Sequence, residues 1–232
     1  RSPPGFSAAT NPGAPDNVSI PTLYVLSATS IKVLWTAPGV PNGVIFKYEV
    51  LYNFMGAQGV AEVNDAGIAK EITLKDLLPY TLYEVRIRAC TLKGCSIGEA
   101  NYARTFEAPP EGQNPPDFPT SNISARRVLV TWNEPLKPNG FMLSYRLYRR
   151  GVSLYGNQAT VYGPAESVVN VTNGSALAYS DTNVKPYFKY NYRVISANSA
   201  GETVSQWSLV QTLSAAPEQL KAPHVNKTYP YS

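Results

Sequence analysis

"VLWTAPGVPNGVIFKYEVLY" runs from Val33 to Tyr52, and "LVTWNEPLKPNGFMLSYRLYRR" runs from Leu129 to Arg150. Trp35, Pro38, Pro41, Asn42, Gly43 and Tyr48 return 97 positions later as Trp132, Pro135, Pro138, Asn139, Gly140 and Tyr145. Further on, "LLPYTLYEVRIRA" (Leu77 to Ala89) is answered by "VKPYFKYNYRVIS" (Val184 to Ser196), with Pro79 matching Pro186 and Tyr83 matching Tyr190 at an offset of 107. Landmarks that keep their order while their spacing changes mark a repeated folding unit, the second copy carrying about ten extra residues. The spare length falls to "YGNQATVYGPAESVVNVTNGSA" (Tyr155 to Ala176), a polar stretch that predicts an enlarged loop. Proline pairs six apart open each unit: Pro15 and Pro21, Pro110 and Pro116, Pro217 and Pro223. A period near 100 is too long for a solenoid and suits domains in tandem. The expected division is a tail over 1–13 from a preceding linker or domain, units over 14–107 and 108–215, and the start of a third over 216–232.

Within each unit apolar residues alternate with period two, the signature of half-buried strands. Ile31, Val33 and Trp35 share one face, as do Tyr48, Val50 and Tyr52, and Tyr83, Val85, Ile87 and Ala89, with Glu84, Arg86 and Arg88 opposite. The second unit repeats this with Val128, Val130 and Trp132, with Tyr145 and Leu147, and with Tyr190, Tyr192 and Val194. Strands with one wet face bury the other by stacking two sheets, which gives a β-sandwich of about 100 residues.

These residues carry a family resemblance. Trp-x-x-Pro, the "PNG" with its following Tyr, and the Leu77, Pro79, Thr81, Tyr83 motif resemble the fibronectin type III domain. In the second copy the last motif reads Val184, Pro186, Phe188, Tyr190, so Pro and Tyr hold. The resemblance covers roughly residues 14 to 215 and implies an all-β chain of two tandem fibronectin type III (immunoglobulin-like) β-sandwiches of seven strands each. It also implies that Trp35 and Trp132 are buried and that Tyr83 and Tyr190 are corner tyrosines bonded back to nearby backbone. A narrower likeness, carried by "EAPPEG", "ACTLKGC" and "YSDTNVKPYFKYNYRVISANSAGETVSQW", is to the usherin-like group of type III repeats. That likeness implies a large membrane-anchored or secreted ectodomain of sensory epithelia, in ear and retina.

Composition narrows the function classes. Charged residues are 16% of the 232, against about 25% in ordinary globular proteins. The net charge of +4 is too small to suggest nucleic acid as a partner. The one histidine, His224, leaves the body of the chain without an imidazole for Ser-His-Asp or Cys-His chemistry. Two cysteines without a second spaced ligand pair make no zinc site. The reading is of a non-enzyme without cofactor or metal, and no stretch is suited to direct membrane insertion. The chain begins at Arg1 without a signal-peptide pattern, as expected of a piece of a longer protein.

Cys90 and Cys95 flank "TLKG". Because Ala89 faces the core, Cys90 should face out, and Gly94 favours a tight turn that brings both sulfurs within bonding reach. Ala197 and Glu202 occupy the equivalent positions in the second unit, so the pair is an addition to the fold. It reads either as a staple or as a device that stiffens Thr91, Leu92 and Lys93 into a partner-binding tip between the last two strands. Integrin-binding type III domains use that loop, but no Arg-Gly-Asp occurs. Glycosylation sequons stand at Asn17, Asn122, Asn170, Asn173 and Asn226. With a disulfide they point to an extracellular compartment.

Arg146, Arg149 and Arg150 with Tyr145 and Tyr148 read either as a solvated strand face or as a small basic, aromatic patch for heparin or an acidic partner. "SQWS" (Ser205 to Ser208) resembles half of a cytokine-receptor box, although packing near the last strand suits Trp207 better. Asp181 and Glu166 lack the companions of a catalytic pair, so Asp181 is expected in a turn. The function expected is that of an extracellular structural spacer and adhesion segment of a large multi-domain ectodomain. Its partners would be extracellular proteins or matrix and neighbouring type III domains of the same chain. The alternative is a specific protein- or glycosaminoglycan-binding module.

Overall fold

The computed structural model describes residues 12–54, 56–63, 68–155, 159–172 and 176–217. Most of the expected tail over 1–13 (residues 1–11) and most of the expected third unit (218–232, with His224 and Asn226) lie outside them, as does Asn173. The chain is all-β and divides into two compact units. One comprises Arg1–Glu111, Lys137–Phe141 and Asn198–Gly201, and the other Gly112–Leu136, Met142–Ala197 and Glu202–Ser232.

The first unit contains β1 (Thr22–Ser27), β2 (Ser30–Leu34), β3 (Lys47–Phe54), β4 (Ala57–Val63), β5 (Glu71–Leu74), β6 (Leu82–Thr91), β7 (Gly94–Ile97) and β8 (Asn101–Arg104). One sheet has the order β1-β2-β5; the other has the order β4-β3-β6-β7, with β8 also on β6. All pairs are antiparallel. β7 and β8 are one strand interrupted at Gly98, whose N–H turns to Ile87 O at 2.9 Å. A Cβ on Gly98 would fall 2.8 Å from Val18 O, so the interruption needs glycine. Ile31, Val33, Trp35 and Leu74 meet Tyr48, Val50, Tyr83, Val85, Ile87 and Ala89 in one core. Alternation along β2, β3 and β6 therefore puts the apolar side of each sheet against the other.

The second unit contains β9 (Val128–Thr131), β10 (Ser144–Tyr155), β11 (Ala159–Tyr162), β12 (Glu166–Val171), β13 (Ala178–Asp181), β14 (Lys189–Ala197), β15 (Glu202–Val204) and β16 (Ser208–Gln211). β13 pairs β9, and the larger sheet has the order β11-β10-β14-β15 with β12 on β10 and β16 on β14. Its core joins Val128, Val130 and Trp132 to Tyr145, Leu147, Tyr190, Tyr192 and Val194. The opening segment forms only the bridges Asp117↔Thr131 and Ile123↔Val128 and a 3-10 turn at Thr120–Asn122. Pro115, Pro116 and Pro119 have no N–H to give a ladder.

The stretch expected as an enlarged loop is largely strand. β11 pairs residues 152–155 of a lengthened β10, and β12 pairs Tyr145–Arg149 of the same strand. Its Val and Thr content suits a strand, and β10 is long enough to partner both segments.

Candidate functional site

The two units share a corner built from the same side chains. Tyr83 Oη accepts the Leu78 N–H at 2.8 Å, and Tyr190 Oη accepts the Lys185 N–H at 2.9 Å. Tyr80 and Tyr187, which follow the corner prolines, take the left-handed region at φ 49° and 47°. A buried threonine completes each corner. Thr105 Oγ1 accepts the Thr81 N–H and donates to Leu78 O, while Thr212 Oγ1 accepts the Phe188 N–H and donates to Lys185 O. Burial raises the Tyr83 hydroxyl above its ordinary pKa. Thr105 and Thr212 keep the 107-residue offset in the sequence, which was the signal available for finding them.

Cys90 and Cys95 are disulfide-bonded and stand directly opposite each other in the β6–β7 hairpin, with Cα atoms 4.1 Å apart. Cys90 is on the outer side of its strand, since Ala89 and not Cys90 belongs to the core cluster. Although on the outer side, Cys90 is 0% exposed. Lys47 stands opposite on β3, and Cys95, itself exposed, is bonded to it. Thr91 is also buried and does not belong to an accessible tip. Its hydroxyl donates to Gly13 O at 2.7 Å and accepts the Lys93 N–H at 3.2 Å, tying the entering chain to the hairpin. Leu92, 89% exposed, and Lys93 form the outward tip.

The basic strand face is divided by the pleat. Tyr145, Leu147 and Arg149 point inward, while Arg146, Tyr148 and Arg150 point outward. Arg149 is therefore corrected from candidate surface contact to buried structural cation. Its Nη1 donates to Asp181 Oδ2 at 2.7 Å and to Asn183 O at 2.6 Å, and its Nε donates to Glu166 at 2.9 Å. Asp181, 1% exposed, also accepts from Tyr192 Oη at 2.8 Å and from the Asn183 N–H at 3.0 Å. Burial opposes the Arg149 charge, but Glu166 and Asp181 outweigh it and push the guanidinium above its ordinary pKa. Burial, aided by the Asp181 charge, likewise raises Tyr192. Asp181 thus holds a turn and closes a charge network at once. Inverted polarity at the end of an apolar strand face carried no sequence signal, because Arg149 sits within a run of arginines.

Outside, Arg146 pairs with Glu202. Arg150 lies 4.0 Å from the Tyr162 ring and 4.2 Å from the Trp207 ring, and Arg193 lies 4.6 Å from Trp207 and 5.7 Å from Tyr148. Arg193, Tyr162 and Trp207 were not legible as members of one site, since three strands and a strand break bring them together. Among the sequons, Asn17 and Asn122 are exposed in loop and 3-10 turn. Asn170 is exposed on β12, directly opposite Arg146, in a strand and not in a loop. No group of three or more His, Cys, Asp and Glu suited to a metal is present among the described residues.

The fibronectin type III domain model matches residues 13–105. The chain is 32% identical over 228 residues to Usherin of Mus musculus, covering 95% of this chain and 4% of that protein. Against Usherin of Homo sapiens it is 29% identical over 229 residues, covering 97% and 4%. Neogenin of Rattus norvegicus is 30% identical over 220 residues, covering 90% of this chain and 15% of neogenin. The chain therefore spans a small part of the relatives it matches. The crystal structure of chicken CNTN1 FN1-FN3 domains shares the fold, with a TM-score of 0.58 and 21% identity over 89% of this chain and 70% of that one. Repeated corner tyrosines, buried tryptophans and these likenesses lead to one assignment: the chain is built of tandem fibronectin type III domains and resembles the type III repeats of usherin.

Proposed function

We propose that this chain is an extracellular structural spacer and adhesion segment of a large multi-domain ectodomain, with units near the 14–107 and 108–215 division that bear load between sites elsewhere. The observation that carries the reading is where its most chemically capable groups are spent. Arg149, Asp181 and Tyr192 bond to one another inside a core, Thr105 and Thr212 lock corners, and Cys90 is covered by its own disulfide. Groups held in this way hold β-sandwiches together and leave the surface to contacts with extracellular proteins or matrix.

Exposed sequons at Asn17, Asn122 and Asn170 and the Cys90–Cys95 bridge support the compartment. Peptide mapping of the chain secreted from animal cells tests it. The expected result is a Cys90–Cys95 linked peptide and a glycan on at least one of the three exposed asparagines. Both cysteines as free thiols, with every sequon bare, would overturn the extracellular reading.

A further inference from the structure

On the outer face of the larger sheet in the second unit, rings and cations alternate in the order Tyr162, Arg150, Trp207, Arg193, Tyr148. The register explains the row. Tyr148 and Arg193 are directly opposite across β10 and β14, and Arg150 lies two residues along from Tyr148 on the same face. Tyr162 enters from β11, and Trp207 from the break between β15 and β16. Stacking uses the flat faces of a guanidinium and leaves the donors in its plane unspent.

Those donors are unspent here. Nε of Arg150 and Nε of Arg193 are both buried with no hydrogen-bond partner among the described residues. Four other arginines receive carboxylates: Arg86 from Glu84, Arg88 from Glu49, Arg146 from Glu202, and Arg149 from Glu166 and Asp181. Arg150 and Arg193 have no such pair among the described residues. With Nε covered, the Nη1 and Nη2 donors are those left to a ligand, and the paired Nη groups of a guanidinium match the bidentate geometry of an oxyanion.

We propose that this row binds a sulfated glycosaminoglycan, with Arg150 and Arg193 each taking a sulfate group. The proposal rests on the extracellular reading above. A polymer with fixed anions along a line suits two cations set beside one indole. A protein partner would want an apolar anchor, but two guanidiniums already lie over the Trp207 ring, so charge is what the face offers. The row also lies on the broad face of the sheet and not along an edge open to strand addition.

The test is calorimetric titration of a heparin octasaccharide into the chain as secreted by animal cells, with any glycan on Asn170, which shares this face, in place. The double variant R150Q/R193Q is expected to lose about tenfold or more in affinity. R150K/R193K, which keeps the charge but not the fork, is expected to lose part of that affinity. R86Q/R88Q, matched in net charge and placed in the first unit, should bind as the parent does. Equal loss in R86Q/R88Q, or full binding by R150K/R193K, would reduce the effect to net charge and overturn the site. The unaltered chain gives a second readout that needs no variant: fully desulfated heparin and polyglutamate should not bind, and binding of either as tight as heparin would overturn sulfate recognition. Failure of these tests leaves the spacer reading standing, whereas a failed peptide map would remove the compartment in which the ligand is found.

Discussion

Tyr145 is fully buried, and its hydroxyl has no hydrogen-bond partner among the described residues. Burial first, and the Glu134 charge second, push its pKa up to about 12. The folded value lies above the unfolded one of about 10. Its contribution to stability is therefore complete below pH 10 and is lost as pH rises through about 12. Tyr192 has the same sign. Thermal melts are expected to show the second unit weakening from pH 10 upward. Tyr145→Phe should leave the neutral-pH melt nearly unchanged, because no hydrogen bond is lost, and should flatten that decline. An unchanged slope in the Phe variant would contradict the assignment. Asp181 is the more costly position. Asp181→Ala removes the buried one of the two carboxylates that hold Arg149 and the acceptor of Tyr192, so a loss of about 3 kcal/mol is expected in denaturant titration of the second unit.

The hairpin of β6 and β7 is the element where the two copies differ most plainly. The bridge closes a short loop, so Cys90→Ser with Cys95→Ser should cost the first unit about 2 kcal/mol and leave the second unit untouched. Gly98→Ala should cost more than an exposed loop substitution, about 1–3 kcal/mol, since its Cβ meets backbone oxygen that cannot swing aside. Strand identity and facing were legible in the sequence because period-two alternation is a local property: Ile31, Val33, Tyr83, Val85 and Ile87 are all in the core. The corners were legible because Pro and Tyr recur at one offset. Three things were not legible. Cys90 is covered by its own partner and by strand neighbours, which alternation does not report. Arg149 takes an inward position that only Asp181, Glu166 and Asn183, far along the chain, make tolerable. The ring-and-cation row depends on lateral strand register, which no single stretch encodes.

Across the whole molecule, the two cores share no residue, each assembled from its own pair of sheets around Trp35 or Trp132. A chain of this kind resists force one domain at a time, because the strands that line one core contribute nothing to the other. Core damage should stay local. Trp35→Ala is expected to remove about 3–5 kcal/mol from the first unit alone, and Trp132→Ala the same from the second. The spacer account is tested most directly by pulling the chain by its ends in a single-molecule force experiment. Two separate unfolding events are expected, each releasing about 30 nm, the length of roughly 90 residues at ~3.5 Å each. A single event releasing the whole length, or extension without a resisting peak, would contradict it.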